Sequence, residues 1–522
     1  MSKKNQIFSS KYSPVFLIIF TLAAILRIYK LGGFDLWYDE ATWLSRWYLL
    51  GEKELKIYFF KILKLENAWF FYLLELLWRN IFGDTEFSLR FLPFVFGLLS
   101  IIFIYKLAKL LLNERVGLIS SFIFAISPLH IWYSQEARGY SMGVFIFLLT
   151  VYFYLLALKK NKNYLWWGFI ITFTLAIYTQ YLSLILFPLS FLVLLFSKNK
   201  RYLFKKWLIS IMLVFIYFSP LLIYFINSFI RVKFFFWTSK KLLWQQILIV
   251  LGNFFVGYNA TKNIFWWSFI LFLFLYLLGL LALKKYKEET IFLLLFSIIP
   301  IFSLFLFSRC IMNIFLSRQL MVFSPFFYIL IAKGIEKISF RLLKFITLFL
   351  IVIFISFSLY NYYNLIMPLP QIPYHYGVHL KKPIKHIAEF VNKNKDSTDI
   401  VLHTHPSLPP LFLYYLRSGY EIGKYIIAYT PFKLTGYWSL FYESIKQKNK
   451  IPNAILISKE DIEELKNQYH FKKIWLISAS WDRKGYLDPE SQAIRDLMDK
   501  NYPKLFSTVI DGIYIDLYKI ED

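Results

Sequence analysis

A chain of 522 residues that is 58% hydrophobic and 21% aromatic, with a mean hydropathy of +0.52, is too apolar for an ordinary soluble globular protein. Its formal net charge of +27 does not point to nucleic acid, because many of the bases fall in short loops between apolar runs, where the positive-inside rule places them. A single cysteine, Cys310, excludes an intramolecular disulfide and any CxxC metal or redox motif.

The basic N-terminus MSKKNQIFSSK leads into an apolar run with no small-residue cleavage site, so an uncleaved signal-anchor is expected. Apolar windows predict about eleven membrane helices, near 14–30, 88–111, 115–133, 140–158, 164–180, 181–197, 207–228, 263–283, 290–308, 317–334 and 344–364. Lys and Arg cluster on every second connection: at Lys3, Lys4 and Lys11, at Lys106, Lys109 and Arg115, at Lys159 to Lys162, at Lys198 to Lys206, at Lys284 to Lys287, and from Lys333 to Lys344. These loops can all be cytoplasmic together. The expected topology is a multi-pass protein of the plasma (inner) membrane, with the N-terminus cytoplasmic and the C-terminal domain extracytoplasmic.

Two external pieces are more than loops. In the first, residues 31–87, the stretch ENAWFFYLLELLWRNIFGD (Glu66 to Asp84) predicts an amphipathic interfacial helix with Gly83 as its C-cap. The second is the tail, 371–522, where composition turns soluble. TDIVLHT, YIIAYT, KKIWLISAS and GIYIDLYKI predict strands. KKPIKHIAEFVNKN, SKEDIEELKNQY and SQAIRDLMDKNY predict helices. The fold class is therefore an α-helical polytopic membrane domain, 1–365, with a C-terminal extracytoplasmic α/β domain.

Acids are sparse on the external side. Asp35, Asp39, Glu40, Glu52, Glu54, Glu66, Glu75, Asp84 and Glu86 lie in the first loop, Glu136 follows, and none occurs from Ala137 to Lys287. Acid–base chemistry by an external carboxylate of the membrane domain would fall to this set. Asp39 and Glu40 sit at a span exit among Trp37, Tyr38 and Trp43. The plainer accounts are an N-cap for Asp39 and interfacial anchoring for the aromatics, and the anchor role is expected first for Trp37 and Tyr38. SPLHIWYSQEARGYS, Ser127 to Ser141, gathers His130, Tyr133, Gln135, Glu136, Arg138 and Tyr140 at one external turn. A Glu136–Arg138 pair is the structural account; an Arg facing a bound phosphate is the functional one. Arg90, Arg309 and Arg318 are further cations near the external interface. His403 and His405 in HTHPSLPP lack a third ligand nearby, so a surface or loop role is favoured over a metal site. His375 to His379 joins the last span to the tail. NAT, Asn259 to Thr261, fits a glycosylation pattern short enough to arise by chance.

The order of span, DLWYDEA, an amphipathic helix ending FGDTEFSLRFLPFVFG, and RVGLISSFIFAISPLHIWYSQEARGYS resembles the C-type glycosyltransferases. More narrowly, it resembles the branch holding protein O-mannosyltransferases and the lipid A aminoarabinose transferase. The resemblance covers about 14–160, and FLSRQLMVFSPFFYILIAKGIEKI (Phe315 to Ile338) and the start of the tail are similar to later parts of the same branch. It implies transfer of a sugar from a polyprenyl-phosphate-linked donor to a hydroxyl acceptor, on a protein, lipid or glycan, with inversion. It also implies Asp39 as base and Arg138 as donor-phosphate contact, with Arg318 and Arg90 as further contacts. Glu40 would orient the acceptor or, with Asp39, help hold a divalent metal ion; no other cofactor is expected. Glu136, Tyr133, Gln135, His130, Trp37 and Tyr38 would position substrate, and membrane lipid would surround the isoprenoid. Two alternatives from other classes are a transporter or flippase of lipid-linked glycans and a membrane-anchored binding scaffold. The uncharged interiors of most spans weigh against the first. The SQEAR turn has no part in the second.

Overall fold

The structure, a computed structural model of the protein, describes residues 12–42, 44, 69–197, 200–235, 244–284, 286–311, 314–370, 374, 378, 381–405, 408–416, 425–429, 453–455, 458–479, 487 and 489–520. The chain divides into two compact units. One comprises 1–33, 63–233 and 238–376; the other comprises 34–62, 234–237 and 377–522. Residues 34–62, read from sequence as the start of a membrane-domain loop, group with the tail.

The first unit is helical. Its elements are α1 (Ser13–Ile28), α2 (Trp69–Phe82), α3 (Glu86–Leu111), α4 (Glu114–Ile126), α5 (Pro128–Ser134), α6 (Tyr140–Lys160), α7 (Asn163–Thr179), α8 (Leu186–Leu195), α9 (Lys200–Phe235), α10 (Gln245–Val256), α11 (Lys262–Ala282), α12 (Lys287–Cys310), α13 (Ser317–Leu320), α14 (Ser324–Lys337) and α15 (Arg341–Tyr363). Among the described residues, seven helices are long and apolar enough to cross a membrane, or eight if α4 and α5 form one bent span. The expected spans near 14–30 and 181–197 are shorter: α1 has 16 residues, and α8 is preceded by a 3-10 turn over Tyr181–Ile185. Helix α10 was not anticipated, and its 12 residues reach only about 18 Å. In α2 the residues Leu73, Leu77, Ile81 and Phe82 are exposed while Phe71 and Tyr72 are buried. Gly83 ends it at φ +77°, donating its N–H to the Arg79 carbonyl at 2.8 Å.

The predicted span 115–133 is broken, with α4 and α5 meeting at 61°. Pro128 has no N–H to continue the ladder, so Phe124 O keeps only a 3.3 Å bond from the Ser127 N–H and the last carbonyls of α4 need further donors. Arg27 supplies replacements. Its fully buried guanidinium donates to Ala125 O at 2.7 Å, to Phe124 O at 3.2 Å and to Ser134 Oγ at 3.3 Å. The bend answers in kind: Gln135 Nε2 donates to the carbonyls of Arg27 and Tyr29, both at 2.7 Å, and Gln135 Oε1 accepts from Tyr362 Oη of α15 at 2.7 Å. Gly97 of α3 leaves the room, since a Cβ there would lie 2.2 Å from Ser134 Oγ.

Elsewhere two backbones touch. A Cβ on Gly279 of α11 would lie 2.0 Å from Leu330 O, and one on Gly334 of α14 would lie 2.1 Å from Leu275 O. Small residues at such a crossing let helices approach where lipid offers no hydrophobic drive.

The second unit holds α16 (Ile384–Asn394), β1 (Asp399–His403), α17 (Leu408–Leu416), β2 (Tyr425–Tyr429), β3 (Asn453–Ile455), α18 (Lys459–Tyr469), β4 (Lys473–Ala479), α19 (Pro489–Asn501), β5 (Lys504–Ile510) and β6 (Ile513–Lys519). The sheet order is β3-β2-β1-β4-β6-β5, with β1 to β4 parallel, β6 antiparallel to β4, and β5 antiparallel to β6. Ser458 opens α18 through a capping box with Asp461. One face of the sheet packs Ile400, Leu402, Ile474 and Leu476 against Ile462 and Leu465 of α18 and Ile494 and Met498 of α19. His403 does not take the surface role expected of it. It is fully buried in β1, with its ring 4.6 Å from Phe412 and 6.0 Å from Tyr425.

Three outcomes follow from this packing. Arg27→Leu should lower the yield of folded protein from membranes severalfold, and Arg27→Lys should recover it only in part, because one ammonium cannot reproduce the fork; size-exclusion recovery in detergent checks this. Gly334→Leu should abolish recovery of monodisperse protein by the same assay. Burial holds the His403 imidazole down at about 3, so the unfolded chain binds a proton below about pH 6.5 that the folded chain refuses. Stability of this unit should therefore fall on acidification from about 6.5 toward 3, by up to about 1.4 kcal/mol per pH unit. His403→Leu should flatten that slope in thermal unfolding between pH 7 and pH 5.

Candidate functional site

The external turn predicted to bind phosphate is built on the bend. Helix α5 ends at Ser134, and residues 135–139 turn the chain into α6. Glu136 is buried and accepts the Trp132 indole N–H through Oε2 at 3.0 Å. Arg138 donates its backbone N–H to Glu136 O at 2.7 Å, and its half-buried side chain lies 5.8 Å from the ring of Tyr72 in α2. Tyr133 packs against Tyr140 with ring centroids 4.8 Å apart. His130 shares a 2.7 Å hydrogen bond with Ser324 Oγ and stacks on Phe124 at 4.0 Å. His130 and Gln135 thus have structural work within the helical unit.

Two further segments of this unit converge on the turn. Tyr258, in the connection after α10, pairs its hydroxyl with that of Tyr133 at 2.9 Å and sets its ring edge-on to Trp132 at 5.5 Å. Burial pushes the Tyr258 phenol up, opposed by its Tyr133 hydrogen bond and the nearby Arg318 cation. Arg318, in α13, is 8% exposed and lines a small cavity with Gln246, Tyr258, Ser317 and Tyr374. Arg318 and the 130–140 turn therefore share the Tyr133–Tyr258 pair between them. Arg90 is fully buried and donates to Leu31 O at 3.2 Å.

Sequence reasoning did not find Tyr258. Its neighbourhood, Gly257 to Thr261, showed only the glycosylation pattern. Asn259 is buried and donates to Ile366 O at 2.6 Å, while its own carbonyl accepts from Asn361 at 2.8 Å, so it braces this connection.

The acidic half of the predicted site lies in the second unit. Residues 38–42 are helical; Asp39 is half-buried, and Glu40 is 2% exposed. Glu40 Oε2 accepts the Trp37 N–H at 3.1 Å and lies 3.5 Å from Lys381 Nζ. Trp37 and Tyr38 are buried, which removes the lipid-facing anchor role expected for them. Trp43, His375 and His379 lie outside the described residues. Among the described residues, no group of three His, Cys, Asp or Glu side chains gathers to hold a metal ion. With Lys381 beside it, Glu40 is a poor ligand for a divalent cation.

Residues 68–224 match the family described as dolichyl-phosphate-mannose-protein mannosyltransferase, a range that includes the whole 130–140 turn. A 74-residue stretch is 34% identical to dolichyl-phosphooligosaccharide-protein glycotransferase 1 of Archaeoglobus fulgidus, covering 14% of this chain and 12% of that relative. In three dimensions the chain is similar to ArnT from Cupriavidus metallidurans, solved both without ligand and bound to undecaprenyl phosphate. The TM-score is 0.61 at 10% identity, over 98% of each chain. It is also similar to the archaeal oligosaccharyltransferase AglB from Archaeoglobus fulgidus, solved with an inhibitory peptide and a dolichol-phosphate. Here the TM-score is 0.54 at 12% identity, over 97% of this chain and 74% of that one. The protein has the fold of the C-type glycosyltransferases, with a small C-terminal sheet domain. The resemblance to the mannosyltransferase branch holds in sequence over residues 68–224, and the likeness to ArnT is one of fold.

A consequence for the turn can be measured. Glu136→Gln keeps the acceptor for Trp132 and should leave folded yield within about twofold, whereas Trp132→Phe should lower the thermal midpoint by loosening the turn.

Proposed function

We propose that this protein is a polyprenyl-phosphate-sugar glycosyltransferase acting on the extracytoplasmic side of the plasma (inner) membrane, with its N-terminus cytoplasmic. The observation that carries the reading is the Arg138 turn, built on a buried bend inside the segment that matches the mannosyltransferase family. The coordinates of relatives bearing undecaprenyl phosphate and dolichol-phosphate support a lipid-phosphate donor.

The chemistry asks little of the protein beyond charge and one proton acceptor. An acceptor hydroxyl attacks the anomeric carbon as the bond from that carbon to the phosphate oxygen breaks, inverting the centre. Asp39 takes the hydroxyl proton; a positioned carboxylate base is worth roughly 10²–10⁴-fold. The leaving polyprenyl phosphate departs as an anion and needs no proton, only the cations Arg138 and Arg318. Burying the isoprenoid gains little, because that tail is already in an apolar phase, so donor affinity rests on phosphate and sugar contacts.

The test uses cells lacking the native protein and complemented with variants, with envelope glycans read by mass spectrometry and undecaprenyl phosphate binding measured on purified protein. Asp39→Asn should reduce the glycan product at least 100-fold while lipid-phosphate binding stays within about twofold. Arg138→Ala should weaken that binding at least tenfold. Normal glycan in the Asp39→Asn strain would overturn the enzymatic reading and favour a transport or scaffold role.

A further inference from the structure

The tail domain has no part in the chemistry just described, yet three contacts tie it to the segment that carries Asp39. All three lie within the second unit. Asp35 Oδ2 accepts the backbone N–H of Lys385 at 2.7 Å. Lys385 is the second residue of α16, whose own N-cap, Pro383, makes no side-chain cap bond. Asp35 therefore caps this helix from a distant part of the chain, with its negative charge at the positive end of the helix dipole. Next, the Leu36 N–H donates to Tyr415 Oη of α17 at 2.6 Å. Finally, Glu40 faces Lys381 at 3.5 Å, with side-chain exposures of 0% and 4%.

These anchors bracket Asp39. Glu40 is adjacent to it on one helical turn and also accepts the Trp37 N–H that opens that turn. A buried carboxylate with both an ammonium and an amide to satisfy has one low-energy placement, and a helical turn passes that placement to its neighbour. Removing the ammonium would take a close counter-charge from a buried carboxylate, which weakens the hold on the turn.

We propose that Lys381 is a positioning residue for Asp39: through Glu40 it fixes the turn bearing the base, and the tail domain serves as the mount for that turn. The proposal rests on the reading of Asp39 given above. It moves Glu40 from acceptor orientation or metal binding to the clamp that holds its neighbour.

The experiment compares Lys381→Met, Lys381→Arg, Glu40→Gln and the Glu40→Gln/Lys381→Met double variant in the full-length protein. Envelope glycan is measured in complemented cells at matched protein level. Undecaprenyl phosphate binding and the thermal midpoint are measured on purified protein. Misplacing a reacting group by about 1 Å costs up to about 10²-fold, so Lys381→Met should lower glycan at least tenfold with lipid-phosphate binding within about twofold. Lys381→Arg should restore most of it. The double variant should match the worse single variant in both glycan and midpoint, because the two residues act as one pair.

Glycan within twofold of wild type in Lys381→Met overturns the positioning role. Equal losses in Lys381→Met and Lys381→Arg, or losses that multiply in the double variant, also overturn it. The midpoint cycle does not depend on activity, so it judges the Glu40–Lys381 pair even where Asp39→Asn shows that the base lies elsewhere. Should Lys381→Met fail to fold, Asp35→Asn weakens a separate anchor and is expected to lower glycan at least threefold with binding retained; unchanged glycan in that variant overturns the mount.

Discussion

One guanidinium holds the helical unit in its functional shape. A proline in the middle of an apolar run strands the last carbonyls of a helix, and in a membrane protein no bulk water is at hand to solvate them. An unsatisfied buried carbonyl costs about 1–3 kcal/mol. An arginine at that depth is costly too unless it is paired. Arg27 and the break at Pro128 cancel each other's penalty, since the fork reaches Phe124 O, Ala125 O and Ser134 Oγ together. Because Gln135 returns the contact to the backbone of α1, neither partner can move alone. The turn that carries Arg138 follows directly from this lock.

Much of this was legible in the sequence where local chemistry decides. Most of the long apolar helices, the helix that Gly83 stops, the Ser458 capping box and most strands of the tail follow from periodicity and caps. What escaped depended on distant partners. Arg27 reads as an ordinary charge near a span end, and nothing local says that it serves a helix some hundred residues away. Strand β5 escaped because much of it is exposed at the sheet edge, yet Asp511 and Gly512, both in the left-handed region, are a short-range hairpin signal. Strand β3 is only three residues long. Tyr258 sits in a stretch without a motif and gains meaning only beside Tyr133 and Arg318. The pairing of Glu40 with Lys381 spans most of the chain, and a Lys–Lys pair before a helix carries no hint of it.

The residues given roles in the proposed chemistry fall in both units. The carboxylates Asp39 and Glu40 belong with the tail, and the guanidiniums Arg138 and Arg318 belong with the helices. Each half is braced by its own unit: an amide, a phenol and an ammonium on one side, a bent helix and a tyrosine pair on the other. A base needs accurate placement more than depth, and a phosphate clamp needs depth more than mobility. The segment bearing Asp39 is held by Lys381, the N-terminus of α16 and Tyr415 of α17.

The contact between Gly279 and Gly334 bears on the clamp as well. At the two glycines the backbones of α11 and α14 meet with no side chain between them, and Tyr276 and Phe327 pack across the same pair of helices with ring centroids 5.3 Å apart, so the crossing leaves little room for one helix to shift against the other. Arg318 stands just ahead of α14, and its height along the bundle is therefore inherited from a backbone seam rather than tuned by neighbouring side chains. A side chain larger than hydrogen at either glycine would push the two backbones apart and shift α14, and Arg318 just ahead of it, along with them.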